Sequence, residues 1–162
     1  MFEIDAVKNP TFCENIGYLA KLFLDHKNVY DDTSPFLYYV MTENDDEGQH
    51  MVGYFSKEKE SQKGWNLSCI LILPFHQRKG YGKFLITFSY ELSLIEKKPG
   101  GPETPLSDLG RASYVSWWTQ RIIDYIRKHK HEQFTIADIT RETCIVEKDI
   151  IETLVRVYLF VE

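Results

Sequence analysis

The sequence is short of cysteine. Three are present, Cys13, Cys69 and Cys144, far apart and without a C-x-x-C pair. That scatter excludes a disulfide framework and a thiolate zinc site built within the chain, and it fits a reducing compartment. The five histidines do not restore a metal site. His26, His50 and His76 are isolated, and His129 and His131 stand in a solvated Lys/His run, so no metal is expected. No apolar run approaches the roughly 20 residues that cross a bilayer, and no charged-then-apolar leader opens the chain; no membrane partner is expected. Positive charge is not in excess either. The net charge of −5 argues against a general polyanion binder and suits a basic partner such as a Lys-rich peptide.

What is present is enough for one sizeable core and a small appended module. The chain has 162 residues, 43% of them hydrophobic and 14% aromatic, which suits a globular domain. Phe2–Asp5 reads as a strand. Asn9 and Pro10 read as an N-cap and first helical residue, with Cys13, Ile16, Ala20, Phe23 and Leu24 at helical spacing behind them. "SPFLYYVMT" (34–42), "HMVGYFSKE" (50–58) and "WNLSCILIL" (65–73) read as three strands of an antiparallel meander, the third apolar enough for burial on both faces. From Gly82 the pattern turns helical, with Phe84, Leu85, Phe88, Leu92 and Ile95 predicting one buried stripe. "KKPGGPETP" (97–105) breaks that helix. Another is predicted over Gly110–Lys128, with Val115, Trp118, Ile122 and Ile126 inward, and two short helices over Thr135–Thr143 and Glu147–Leu159. The organisation predicted is one mixed α+β domain with a helix-turn-helix tail.

The chemistry is carried by "HQRKGYGK" (76–83). The dinucleotide fingerprint fails because Leu85 stands at its third glycine. The P-loop fails because Phe84 follows Gly82-Lys83. What remains is Q-R-K-G-Y-G-K between a buried strand and a helix. Glycines let backbone amides turn toward a diphosphate, and the helix N-terminus adds about half a positive charge. Arg78, Lys79 and Lys83 add full charges. The Q/R-x-x-G-x-G form is similar to the acetyl-coenzyme A signature of the GNAT superfamily.

The resemblance then widens. "LFLDHK" (22–27), "VGYFSKEKES" (52–61), "CILILPFHQRKGYGKFLITFSYELS" (69–93) and "GPETPLSDLG" (101–110) resemble, in order and spacing, the catalytic domain of the MYST-family lysine acetyltransferases. The resemblance runs from Phe2 to about residue 128 and more loosely through the tail. It implies a GNAT-like acyl-CoA N-acyltransferase core, a mixed and mostly antiparallel sheet flanked by helices, over 1–128. A C-terminal winged-helix-like segment over 129–162 is expected to be truncated.

The reaction it implies is acetyl transfer from acetyl-CoA to a lysine ε-amine. Glu103, in the segment matching the family's G-x-P-E-x-P-L-S, is implied as the general base, with Pro102 and Pro105 stiffening its loop. Cys69 stands where the family carries a cysteine beside the thioester. No histidine partner is evident for a covalent route, so direct attack is expected, with Cys69 lining the site. Backbone groups of Cys69, Ile70, Leu71 and Ile72 are implied for the acetyl and pantetheine arm. Ile72 replaces a threonine usual in the family. Gln77, Arg78, Lys79, Gly80, Tyr81, Gly82 and Lys83 are implied for the diphosphate, and Ser107 and Ser116 for further cofactor contact. Ser107 also suits an N-cap. Lys27 matches a lysine that the enzyme acetylates on itself.

The family's N-terminal zinc finger is not found ahead of Phe2, and the family would continue past Glu162; a fragment or reduced paralogue is expected. The family implies histone tails or other lysine-containing proteins as substrates, multisubunit chromatin complexes as partners, and the nucleus as location. The rival expectation is a catalytically weak chromatin-associated interaction module. Acetylation of a small-molecule amine is a third. The second tail helix carries Glu147, Lys148, Asp149, Glu152 and Arg156; its net acidity argues against direct DNA recognition.

Overall fold

In the computed structural model, which describes residues 1–23 and 32–159, strand β1 (Phe2–Asp5) leads into helix α1 (Pro10–Lys21). Pro10 starts the helix with φ already set. Asn9 occupies the N-cap position without capping; its side chain donates to the Asp5 carbonyl at 3.4 Å. Cys13, Ile16 and Ala20 are buried as their spacing predicts, while Phe23 is largely exposed and Leu24 lies outside the described residues. Strands β2 (Phe36–Asp45) and β3 (Gly48–Glu58) form a hairpin. The Asp45 carboxylate closes its turn by accepting from the amides of Glu47 at 2.9 Å and Gly48 at 3.1 Å. Then come β4 (Trp65–Leu67), β5 (Cys69–Ile72), a 3-10 turn at Pro74–His76, α2 (Tyr81–Glu96), β6 (Gly101–Pro102), α3 (Asp108–Lys128), α4 (Ile136–Thr143) and α5 (Glu147–Leu159).

These elements make two compact units, residues 1–62 with 67–82, and residues 63–66 with 83–162. The first unit is an antiparallel sheet in the order β1-β2-β3-β5. One face packs Tyr38, Val40, Tyr54 and Leu71 with Cys13, Ile16 and Ala20 of α1. Tyr39 and Phe55, both buried, stack at 4.7 Å. Gly53 sits opposite Ile72. A Cβ there would lie 2.4 Å from the Leu71 carbonyl oxygen and 2.7 Å from Ile72 Cδ1. Only glycine lets β5 lie this close to β3, because the nearer obstacle is backbone.

The strand expected over 65–73 is two strands. It breaks at Ser68, whose amide donates to the Ser56 carbonyl at 2.7 Å, and β4 leaves to pair with β6 in a separate two-stranded sheet. Burial on both faces is also corrected. Only Leu71 of β5 is buried, and Cys69, Ile70 and Ile72 are half-buried, because β5 ends its sheet.

In the second unit the buried stripe of α2 is Leu85, Ile86, Ser89, Tyr90 and Ser93. The expected stripe is overturned at both ends: Phe84 is 51% and Ile95 78% exposed. The two serines go inside because their hydroxyls are satisfied locally. Ser89 Oγ donates to the Ile86 carbonyl at 2.8 Å and Ser93 Oγ to Ser89 at 3.2 Å. Contacts with α3 are made by their neighbours Thr87 and Tyr90. Tyr90 stacks on Trp117 at 4.3 Å, Trp118 Nε1 donates to Tyr90 Oη at 2.7 Å, and Trp117 Nε1 donates to Thr87 Oγ1 at 2.8 Å. Trp118 and Ile122 are buried on α3 as expected; Val115 and Ile126 are only half-buried, and Tyr114, Trp117 and Tyr125 complete the face. Thr135 and Asp138 form a capping box on α4, and Cys144, left-handed at φ 55°, ends it. The helix pair of the tail is therefore present. Among the described residues no wing strand accompanies it; Ile145 makes one isolated bridge to Gly100.

Asp149, in the first turn of α5, presses on the segment that carries Glu103. Its Oδ2 lies 2.8 Å from where a Cβ on Gly101 would stand. Burial, and then the nearby Glu152 carboxylate, push its pKa up to about 6 from 3.8, against Lys148. Linkage gives the sign. The folded state holds this proton more tightly than the unfolded state, so ionisation counts against folding as pH rises from about 4 to about 6. Above that the penalty is constant. Asp149→Asn is therefore expected to raise the thermal midpoint at pH 7.5, with the gain vanishing toward pH 4. Thermal melts of both proteins across that range check it.

Candidate active site

The end of β5 is built to present backbone. Leu73 returns its amide to Val52 at 3.0 Å, and Pro74–His76 turn the chain. Gln77 ties the turn down, Nε2 donating to the Ile72 carbonyl at 3.1 Å. Arg78 and Gly80 then both take left-handed backbone, φ 61° and 89°. Glycine adopts that region freely and arginine does not. Among the described residues no hydrogen bond of ordinary geometry takes up the amides of Arg78, Lys79 or Gly80. The first amides of α2 come directly after, and helix geometry leaves them without intrahelical acceptors. Gln77, Arg78, Lys79, Gly80 and Lys83 are exposed. A run of amides thus ends in a helix N-terminus with three cations in the same short stretch.

The two glycines serve differently. Gly80 needs its left-handed backbone, and a Cβ there would meet nothing within 4 Å. Gly82 is helical, and a Cβ there would approach only Ile72 Cγ1, at 3.9 Å. Gly80 is therefore required for its backbone conformation, and Gly82 lies beside Ile72 at the start of α2. The turn fits the diphosphate of a nucleotide-derived cofactor.

Cys69 opens β5 and is half-buried. Its amide donates to Ser56 Oγ at 3.3 Å. Its charge would be felt by Tyr38 and Tyr54, whose hydroxyls burial already holds well above the ordinary tyrosine range. Neither is a base at neutral pH. As the terminal strand, β5 keeps one row of backbone groups outside the ladder, available to an extended amide-bearing ligand. Cys69, Ile70, Leu71, Ile72 and residues 77–82 are thus brought together in the first unit.

Glu103, Ser107 and Ser116 belong to the second unit. Glu103 is half-buried directly after β6. Its neighbours Pro102 and Thr104 line a groove of about 320 Å³ with Pro105, Arg111 and Trp118. The peptide before Pro105 is cis. Ser107 caps α3, accepting from the Gly110 amide at 3.1 Å. Ser116 is exposed on the same helix. Lys27 lies outside the described residues.

Sequence reasoning sets His76 aside as isolated and gives Glu43 no role. Both meet the turn. Tyr81, between the two glycines, donates its hydroxyl to the Glu43 carboxylate. His76 Nδ1 stands 3.6 Å from Glu43 Oε2, and its ring lies 6.3 Å from that of Tyr81. A carboxylate at a hairpin end, 38 residues before its partner, carries no local signal.

Residues 1–162 match the MOZ/SAS family. The chain is 53% identical over 163 residues to "Histone acetyltransferase Tip60 homolog" of Caenorhabditis elegans, covering 98% of this chain and 36% of that protein. It is 56% identical over 154 residues to "Histone acetyltransferase of the MYST family 1" of Arabidopsis thaliana, covering 95% and 34%. It is 50% identical over 159 residues to mouse "Histone acetyltransferase KAT6B", covering 98% and 8%. The chain spans about a third of the length of the first two relatives. With the glycine turn and the Pro-Glu loop in place along a full-length match, the chain belongs to the MOZ/SAS family, the MYST group that its sequence resembles.

Proposed function

We propose that this chain is the acetyl-transfer core of a lysine acetyltransferase, using acetyl-CoA and acting on a lysine of a histone tail or another protein. The observation that carries this is the turn at 77–82. The amides of Arg78, Lys79 and Gly80 lack acceptors among the described residues, and a Cβ on Gly80 would meet nothing within 4 Å. Relatives named histone acetyltransferases support the acceptor class.

When bound, acetyl-CoA supplies an acetyl thioester whose carbon–sulfur bond breaks as the new amide bond forms, the thiol leaving with a proton. The chain does the rest. Amides of residues 78–82, with Arg78, Lys79 and Lys83, hold the diphosphate. The open edge of β5 over Cys69–Ile72 holds the acyl arm, and Ser107 and Ser116 add contacts. A lysine ammonium with a pKa near 10.4 must become neutral to attack, which costs about 4 kcal/mol at pH 7. Glu103 accepts that proton as general base. Cys69 lines the site and leaves attack to the amine.

Residues 1–128 form the acetyl-CoA-binding core and 129–162 a helical tail in this reading. The work lies in the nucleus, within a multisubunit chromatin complex. The acidic face of α5, with Glu147 and Glu152 exposed, supports protein packing over DNA contact. Lys27 is the self-acetylation site; intact-mass and peptide mass spectrometry after incubation with acetyl-CoA should find it modified.

Glu103→Gln is expected to lower kcat on a histone-tail peptide by about 100-fold or more, with acetyl-CoA affinity unchanged. Equal rates in wild type and variant would remove Glu103 from the role. Gly82→Asp puts a carboxylate in the first turn of α2, where the helix tolerates it but where it competes with phosphate for the same amides. Calorimetry should show acetyl-CoA binding weaker by about tenfold or more, roughly 1.4 kcal/mol, at an unchanged thermal midpoint.

A further inference from the structure

The diphosphate turn has two left-handed residues and an exposed run from Gln77 to Gly80. Unanchored, such a segment would lose much of its binding energy to ordering. One anchor is Gln77 on the Ile72 carbonyl, at 3.1 Å. The other lies across the sheet. The hydroxyl of Tyr81, first residue of α2, reaches the carboxylate of Glu43 on β2.

Glu43 is available for this because of how the hairpin is built. The register of β2 against β3 shifts between Met41 and Thr42, so that Met41 pairs with Gly53 and Thr42 with Met51. Such a shift bends the strand and re-aims the side chains beyond it. His50, the cross-strand partner of Glu43, is engaged by Asp45 at 2.9 Å. Glu43 is thus left to the turn. His76 flanks it, its buried Nδ1 without a hydrogen-bond partner among the described residues and 3.6 Å from Glu43. A carboxylate on the flank of an anion seat opposes the ligand's charge. Its position makes sense as an acceptor that holds Tyr81.

We propose that Glu43 is a positioning residue for the cofactor turn: by accepting from Tyr81 it fixes the N-terminus of α2 and pre-organises the 77–82 amides for the diphosphate. This rests on the turn being the diphosphate seat. It assigns Glu43 no contact with the reacting atoms.

The test uses Glu43→Ala, Glu43→Gln, Tyr81→Phe and the Glu43→Ala/Tyr81→Phe pair, with Gly82→Asp as reference. Calorimetry with acetyl-CoA and with inorganic pyrophosphate, and hydrogen exchange of the ligand-free protein, are read together. Glu43→Ala and Tyr81→Phe should each weaken acetyl-CoA binding about tenfold. The double variant should be no weaker than either alone, since both remove one bond. Glu43→Gln keeps an acceptor oxygen and sheds the opposing charge, so it should bind as tightly as wild type or tighter. Exchange over residues 77–83 should quicken in both single variants before any ligand is added, with β2 and β3 unchanged. The KM for acetyl-CoA should rise and that for peptide should not. Wild-type affinity and exchange in Glu43→Ala and Tyr81→Phe, with Gly82→Asp weakened, would overturn the clamp alone, as would additive losses in the pair. Wild-type affinity in Gly82→Asp would overturn the diphosphate seat itself, and with it the clamp's role in binding.

Discussion

The close approach of β5 to β3 at Gly53 is the constraint on which the rest depends. With a Leu71 carbonyl oxygen 2.4 Å from the only place a Cβ could go, no other residue lets the two strands meet here. That contact fixes Ile72 against the sheet. Ile72 in turn receives Gln77 and faces Gly82. A shift of β5 would therefore carry the turn, and the first residues of α2, with it. Backbone amides form a useful anion seat only when their positions are set before the anion arrives. Here the backbone contact of β5 with β3 sets where the turn begins, and the side chains of Gln77 and Tyr81 tie it down.

The second unit obeys a different economy. Its core is aromatic and hydroxylic, with Tyr90, Tyr114, Trp117 and Trp118 largely or wholly buried. Indole N–H groups cannot be left unpaired inside at small expense. Trp117 and Trp118 therefore find Thr87 and Tyr90, and those bonds register α3 on α2. Asn66 donates to Ser93 Oγ at 3.1 Å, tying β4 to the same face. Gly100 and Gly101 then run where a Cβ would strike Asn66 or Asp149. Glu103 comes two residues later, on a segment whose path is set by packing on both sides.

Much of this was legible. The strands of the hairpin, the cap at Ser107 and the helices of the tail are written in local patterns that tertiary contacts reinforce; Asn9 reads as a cap and does not act as one. The 77–82 turn was legible because its residues have few other uses together: two glycines, three cations and a buried strand before them. The stripe on α2 was not legible. Hydropathy counts Phe84 and Ile95 as core and Ser89 and Ser93 as surface. The burial of the serines is met by hydroxyls that bond back to the helix, and Asn66 of β4 donates to Ser93. The break at Ser68 was hidden in an apolar run whose two halves pair with different partners. Glu43 was invisible because nothing local separates a carboxylate that braces a distant turn from one that is merely solvated.

Two features cost stability, and each lies on or beside residues of the candidate site. Arg78 adopts a backbone conformation that glycine would adopt more readily. Asp149 holds a half-buried charge against the segment leading to Glu103. Many polar groups elsewhere are served: Ser107 and Thr135 fill their caps, the indoles of Trp117 and Trp118 are paired, and Ser89 and Ser93 bond back to their helix, while the buried hydroxyls of Tyr54, Ser68 and Thr140 have no partner among the described residues. Unfilled amides at the head of a helix are what an incoming phosphate completes. In the proposed function that phosphate is the cofactor's diphosphate, and the left-handed backbone of Arg78 and Gly80 is what brings the amides of 78–80 ahead of α2.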